Sequence, residues 1–119
     1  MPVRLLTSSV LKWPDGKSVD RAVRQWANAC VSQRGDVVRI GYFGSYARGD
    51  WGVGSDVDVV IVIQRSRQPF GQRAAEWDTT ELPVPADVLV YTEEEWQSLK
   101  EGGRFSEALQ REGIWVYVR

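Results

Sequence analysis

Two aspartates one residue apart, Asp56 and Asp58, follow the pair Gly44-Ser45 after ten intervening residues, in the stretch IGYFGSYARGDWGVGSDVDVVIVI that spans 40–63. In an extended strand, residues i and i+2 share a face roughly 6.5 to 7 Å apart, so the two carboxylates project side by side. At that separation they repel by about 2 to 3 kcal/mol at an effective dielectric of about 20. A cation between them reverses the sign. Magnesium, or manganese in its place, suits the position, because it takes oxygen ligands, keeps several waters and is commonly shared between carboxylates and substrate phosphates. Asp87, at the start of a later apolar stretch, is read as a third metal ligand or as the group that takes a proton from an attacking hydroxyl. Gly44 and Ser45 sit where a strand gives way to SYAR, a helical turn whose first amides and dipole favour an anion. Gly44 lets the backbone approach a phosphate closely, and the Ser45 hydroxyl adds a hydrogen bond. Arg48 is placed either to reach a phosphate or to pair with Asp50 on the surface. A phosphate-facing backbone beside an acidic metal site is what a nucleoside triphosphate with its magnesium needs.

The elements that must hold these residues can be read from periodicity. Val19, Ala22, Val23, Trp26 and Cys30 recur at helical spacing, with Ser18 as the expected N-cap, Asp20 in the first turn and Gly35 past the end. VVRIGYF (37–43) reads as a strand, and VDVVIVI (57–63) as a second one, apolar on both faces and therefore central in its sheet. FGQRAAEWD (70–78) suits a short helix. VPADVLVY (84–91) is a third strand, placed at a sheet edge by Pro83 and Pro85. Thr92 and Glu95 form a capping box that opens a helix reaching about Lys100. A helix over FSEALQRE (105–112) and a closing strand, IWVYV (114–118), complete the chain. The expected fold is α/β (α+β), with helices packed on a small mixed sheet.

Composition bounds what this machinery can be. The chain has 119 residues, 43% of them hydrophobic and 26% charged, enough for one core; the expectation is a single domain over 1–119 with its core at about 18–118. The formal charge of −1 leaves no overall footprint for nucleic acid or an anionic membrane, so no direct nucleic-acid binding is expected. One cysteine and no histidine exclude an internal disulfide, a cysteine-built zinc site and the commonest general base. Any metal must sit on oxygen. The N-terminal apolar stretch is broken by polar residues and a proline, so neither a signal peptide nor a membrane span is expected, and the location expected is cytoplasmic. Trp51 is read as an anchor of its loop in preference to a base-stacking platform, and the remaining tryptophans and Cys30 as core.

Gly44-Ser45, ten residues, then Asp56-Val57-Asp58 resembles the Gly-Ser-x10-Asp-x-Asp signature of the minimal nucleotidyltransferases, the smallest members of the DNA polymerase beta superfamily. GSYARG (44–49) is similar to the form common in that group, and ADVLVYTEEEW resembles its third-aspartate strand and following helix. The resemblance implies the polymerase beta-like fold and transfer of a nucleoside monophosphate, AMP for preference, from a triphosphate to a hydroxyl. It implies Asp56, Asp58 and Asp87 as catalytic and metal-binding residues, with Gly44, Ser45 and Arg48 on the nucleotide. Small members are often paired with a helical HEPN-domain partner as toxin and antitoxin, which makes an antitoxin that modifies its partner the leading expectation. The alternatives are a nucleotide-binding antitoxin acting by contact alone, and the catalytic subunit of a small-molecule or RNA nucleotidyltransferase. A chain this short is expected to leave the acceptor to bring its own surface, which a protein does well and a free small molecule poorly.

Overall fold

The computed structural model describes residues 13–119, with the backbone alone over 104–106. Its first helix, α1, runs Gly16–Gln33 and is capped by Asp15, whose carboxylate accepts the Ser18 backbone N–H at 2.8 Å. The cap is therefore Asp15 and not Ser18. Pro14 directs the chain into the helix, and Ser18 occupies the third helical position, where its amide needs an acceptor. Asp20 correspondingly moves out of the first turn, where it receives the Tyr42 hydroxyl at 2.8 Å and Arg24 Nε at 2.9 Å. The expected apolar face is observed: Val19, Val23, Trp26 and Ala27 are buried, and Ala22 and Cys30 pack half-buried against them.

Strands β1 (Val37–Phe43), β2 (Val57–Ile63), β3 (Ala86–Thr92) and β4 (Ile114–Val118) form a four-stranded sheet in the order β3-β2-β1-β4. β1 pairs antiparallel with β2 and β4, while β2 and β3 run parallel, so the sheet is mixed. β2 is central, as its doubly apolar sequence requires. Val57, Val59, Ile61 and Ile63 join α1 in one core, whereas Val60 and Val62 on the opposite face meet Trp96 and Leu109. Those two come from α4 (Glu93–Lys100) and α5 (Arg104–Glu112); the short helix α2 (Ser45–Arg48) follows β1. The segment expected as one short helix is α3 (Phe70–Arg73) continued by a single tighter turn, Ala74–Glu76. β3 starts two residues later than expected, because Pro85 has no N–H to give a ladder.

Sequence reading missed Arg73, which is only 6% exposed. Its guanidinium donates to the carbonyls of Gln68 (2.9 Å) and Val90 (3.1 Å) and to both carboxylate oxygens of Glu95. Glu95 also closes the capping box with Thr92. The Arg73 guanidinium holds the Glu95 carboxyl below its ordinary 4.5. A carboxyl with a lowered folded value stabilises above its unfolded value, and that contribution is lost as pH falls through the folded one. Because the Glu95 side chain is 41% exposed, solvent screens the pair. Glu95→Gln is expected to cost about 1 kcal/mol at neutral pH, with the difference from wild type closing below about pH 4; urea unfolding at both pH values measures it.

Candidate active site

The site begins where β1 stops. Gly44 adopts φ 80° and ψ −154° and forms the N-cap of α2, a conformation that side chains other than hydrogen rarely tolerate. A second reason for glycine is spatial: a Cβ at this position would run into the Asp58 carboxylate. The Gly44 backbone therefore lies directly against Asp58. Ser45 opens α2, and Gly44 supplies no capping side chain to its first turn. The turn is fixed from behind by Tyr46, whose hydroxyl donates to the Pro14 carbonyl at 2.9 Å and whose ring stacks on Trp51 at 5.6 Å. Trp51 is thus a loop anchor, packed on Tyr46 and the core. The chain then re-enters the sheet through a tight turn in which the Gly52 N–H donates to Ser55 Oγ (2.8 Å) and the Ser55 N–H to the Gly52 carbonyl (3.0 Å).

Asp58 is flanked in register by Phe43 of β1 on one side and Asp87 of β3 on the other. The parallel β2/β3 pair is extended at this end by the Val57 N–H donating to the Pro85 carbonyl at 2.9 Å. Three of the predicted residues, Gly44, Asp58 and Asp87, are thereby brought together from three separate segments, and Asp56 stands just before β2 begins. Asp58 is half-buried, while Asp56 and Asp87 are exposed. Burial raises the Asp58 carboxyl above its ordinary 3.8, with the negative charges of Asp87 and then Asp56 adding to the effect and the Arg48 charge opposing it. Among the described residues no three His, Cys, Asp or Glu side chains are gathered tightly enough to enclose a metal ion. The aspartates are open neighbours and not a cage. Such an oxygen-only, half-solvated set fits a hard cation that retains waters and shares them with phosphate oxygens.

Arg48 is exposed and does pair with Asp50, Nε to Oδ2 at 3.1 Å, and also with Glu112, Nη1 to Oε2 at 3.7 Å. The second partner was not foreseeable, since Glu112 lies far along the chain at the end of α5 and belongs to no local pattern. A crevice of about 210 Å³ lined by Trp26, Cys30, Arg34, Trp77 and Glu81 includes none of Asp56, Asp58 and Asp87; it is a seam between α1 and the segment after α3.

A family described as "Nucleotidyltransferase domain" matches residues 23–115, and the chain belongs to that family. A protein of Methanocaldococcus jannaschii named "Putative protein adenylyltransferase" is 46% identical over 44 residues, a stretch covering 36% of this chain and 44% of that relative. This chain thus matches less than half the length of that relative. Among solved structures, a "putative nucleotidyltransferase" from Sulfolobus solfataricus superposes with a TM-score of 0.63 at 18% identity, covering 87% of this chain and 84% of the other. A "toxin-antitoxin with AMP-PNP" gives 0.51 at 13% identity over 81% and 73%. At those identities the likeness is one of fold, and the fold is that of the nucleotidyltransferases.

Proposed function

We propose that the protein transfers AMP from ATP to a hydroxyl of a partner protein, as the antitoxin of a toxin-antitoxin pair. The observation that carries this reading is the parallel register that sets Asp58 beside Asp87 while the Gly44 backbone closes on the same carboxylate. Asp56, Asp58 and Asp87 would hold magnesium or manganese, which when bound supplies positive charge to the triphosphate and to the charge developing at phosphorus. Gly44 and Ser45 present backbone and hydroxyl to the phosphates, and Arg48 stands at their rim. The acceptor oxygen forms a bond to the α-phosphorus, the bond to the bridging oxygen breaks, and pyrophosphate leaves. Asp87, exposed at the edge of the sheet, also receives the hydroxyl proton. The named relative and the shared fold support protein adenylylation and the antitoxin pairing respectively.

The test is intact-mass analysis of the protein co-expressed with the product of its neighbouring reading frame, then given ATP and magnesium. The neighbour is expected to gain the mass of one AMP residue per event, with an equal release of pyrophosphate. If ATP binds and no acceptor gains mass, the protein acts by contact and the transfer reading fails.

A further inference from the structure

We infer that the exposed stripe of α1 formed by Lys17, Arg21 and Arg24, with the basin beside it, docks an acidic segment of the protein acceptor. The inference rests on the reading of a protein acceptor given above. The basin is a shallow, open depression bordered by Gly16, Lys17, Asp20, Arg21 and Arg24 of α1, Tyr42 of β1 and Ile114 of β4. Its single carboxylate is already engaged, because Asp20 receives both the Tyr42 hydroxyl and Arg24 Nε. Lys17 and Arg21 are exposed and form no ion pair among the described residues. Among the described residues their charges act on Asp15, which is committed to capping α1. In a chain whose formal charge is −1, this is a locally positive surface with an apolar floor of Tyr42 and Ile114.

Position ties the basin to the reaction. A Cβ on Gly16, at the basin's end, would come within 3.3 Å of the Trp51 indole nitrogen. Trp51 stacks on Tyr46, the residue after Ser45. Two side chains therefore lead from the basin to the phosphate end of the site. The basin opens on the α1 face of the sheet and Asp58 on the other, and both meet at the end of β1, so an acceptor held in the basin wraps that end to present its hydroxyl.

Charge decides the occupant. Residues 1–12 carry Arg4 and Lys12 and no acid, so that segment is not complementary. A nucleic-acid backbone offers unbroken negative charge, which Asp20 within the stripe and Asp15 at its end would repel. Acidic side chains spaced along a peptide can alternate with those two carboxylates.

The experiment compares two labelled peptides of equal length, each with one tyrosine, one flanked by glutamates and the other by lysines. Anisotropy titrations use the whole protein without ATP or metal. The acidic peptide is expected to bind more tightly, to weaken as salt rises, and to lose about tenfold in affinity for the Lys17→Glu/Arg21→Glu variant. Arg67→Glu should leave it unchanged, and thermal melts confirm that each variant is folded. Equal binding of the two peptides, or an unaltered affinity in the double variant, overturns the proposal. So does tighter binding of a single-stranded oligonucleotide, or a concentration-dependent dimer that the double variant abolishes. Because no nucleotide is present, docking that succeeds while AMP transfer fails sinks only the reading of the reaction, and the reverse result sinks only the docking surface.

Discussion

Asp58→Asn is expected to melt at the same temperature as wild type or higher in chelator, and to lose most of the stabilisation that magnesium-ATP gives. Among the described residues the Asp58 carboxylate receives no hydrogen bond, and it sits half-buried under the charges of Asp87 and Asp56. A carboxyl whose folded value is raised contributes its full stability below the unfolded value and loses it as pH rises through the folded one. The advantage of the asparagine variant should therefore open above about pH 4 and be complete near neutrality. With ligand the order inverts. Wild type is expected to gain about 2.7 kcal/mol at a hundredfold excess over Kd, a shift on the order of ten degrees for a domain this small. The variant, without one carboxylate, should gain much less and transfer no AMP. Melting curves in chelator and in magnesium-ATP, at acid and neutral pH, measure all of this. Should the variant lose several kcal/mol without ligand, or respond to magnesium-ATP as wild type does, the aspartates are structural.

Gly44→Ala is expected to damage fold and site together. The alanine would have to occupy φ 80° and ψ −154°, at a cost of about 1 to 3 kcal/mol, and its Cβ would enter the space of the Asp58 carboxylate. Either the carboxylate turns away or β1 and β2 separate at their ends. In both cases the response to magnesium-ATP should vanish, and the chain should melt several degrees lower in chelator. A double-mutant cycle isolates the steric part: Gly44→Ala combined with Asp58→Ala should cost less than the sum of the two single changes, because removing the carboxylate vacates the space. A cost within about 0.5 kcal/mol for Gly44→Ala alone would mean that the backbone here is not held as described.

Much of this architecture is written locally in the chain. β2 announces itself by apolar residues on both faces, and the capping box of Thr92 and Glu95 marks the start of α4 without reference to anything distant. Asp58 could be placed at the opening of β2 from the apolar run that follows it, whereas Asp56 stands just before the strand, where alternation does not set its direction. What could not be read is what depends on register or on long separations. That Asp58 lies opposite Asp87, and not one residue away from it, follows from how β2 docks on β3. Arg73 looks like a surface residue until the fold brings Glu95 and the Val90 carbonyl to it. Glu112 becomes a partner of Arg48 only because α5 ends beside α2. The misplaced helix cap has a different cause: Asp15 and Ser18 are both good caps, and the choice between them lies in the approach of the chain through Pro14.

The outermost strand on the β1 side, β4, is IWVYV, five residues without a charge or a proline. Such a segment, with one row of backbone groups unpaired among the described residues, has the composition of strands that recruit their neighbours into fibrils. Its pairing with β1 shifts register between Ile40 and Gly41, and an irregularity of this kind bends and twists a strand so that a second strand cannot lie flat along it. The bulge disfavours edge pairing through backbone shape, a contribution that raising the salt concentration does not screen.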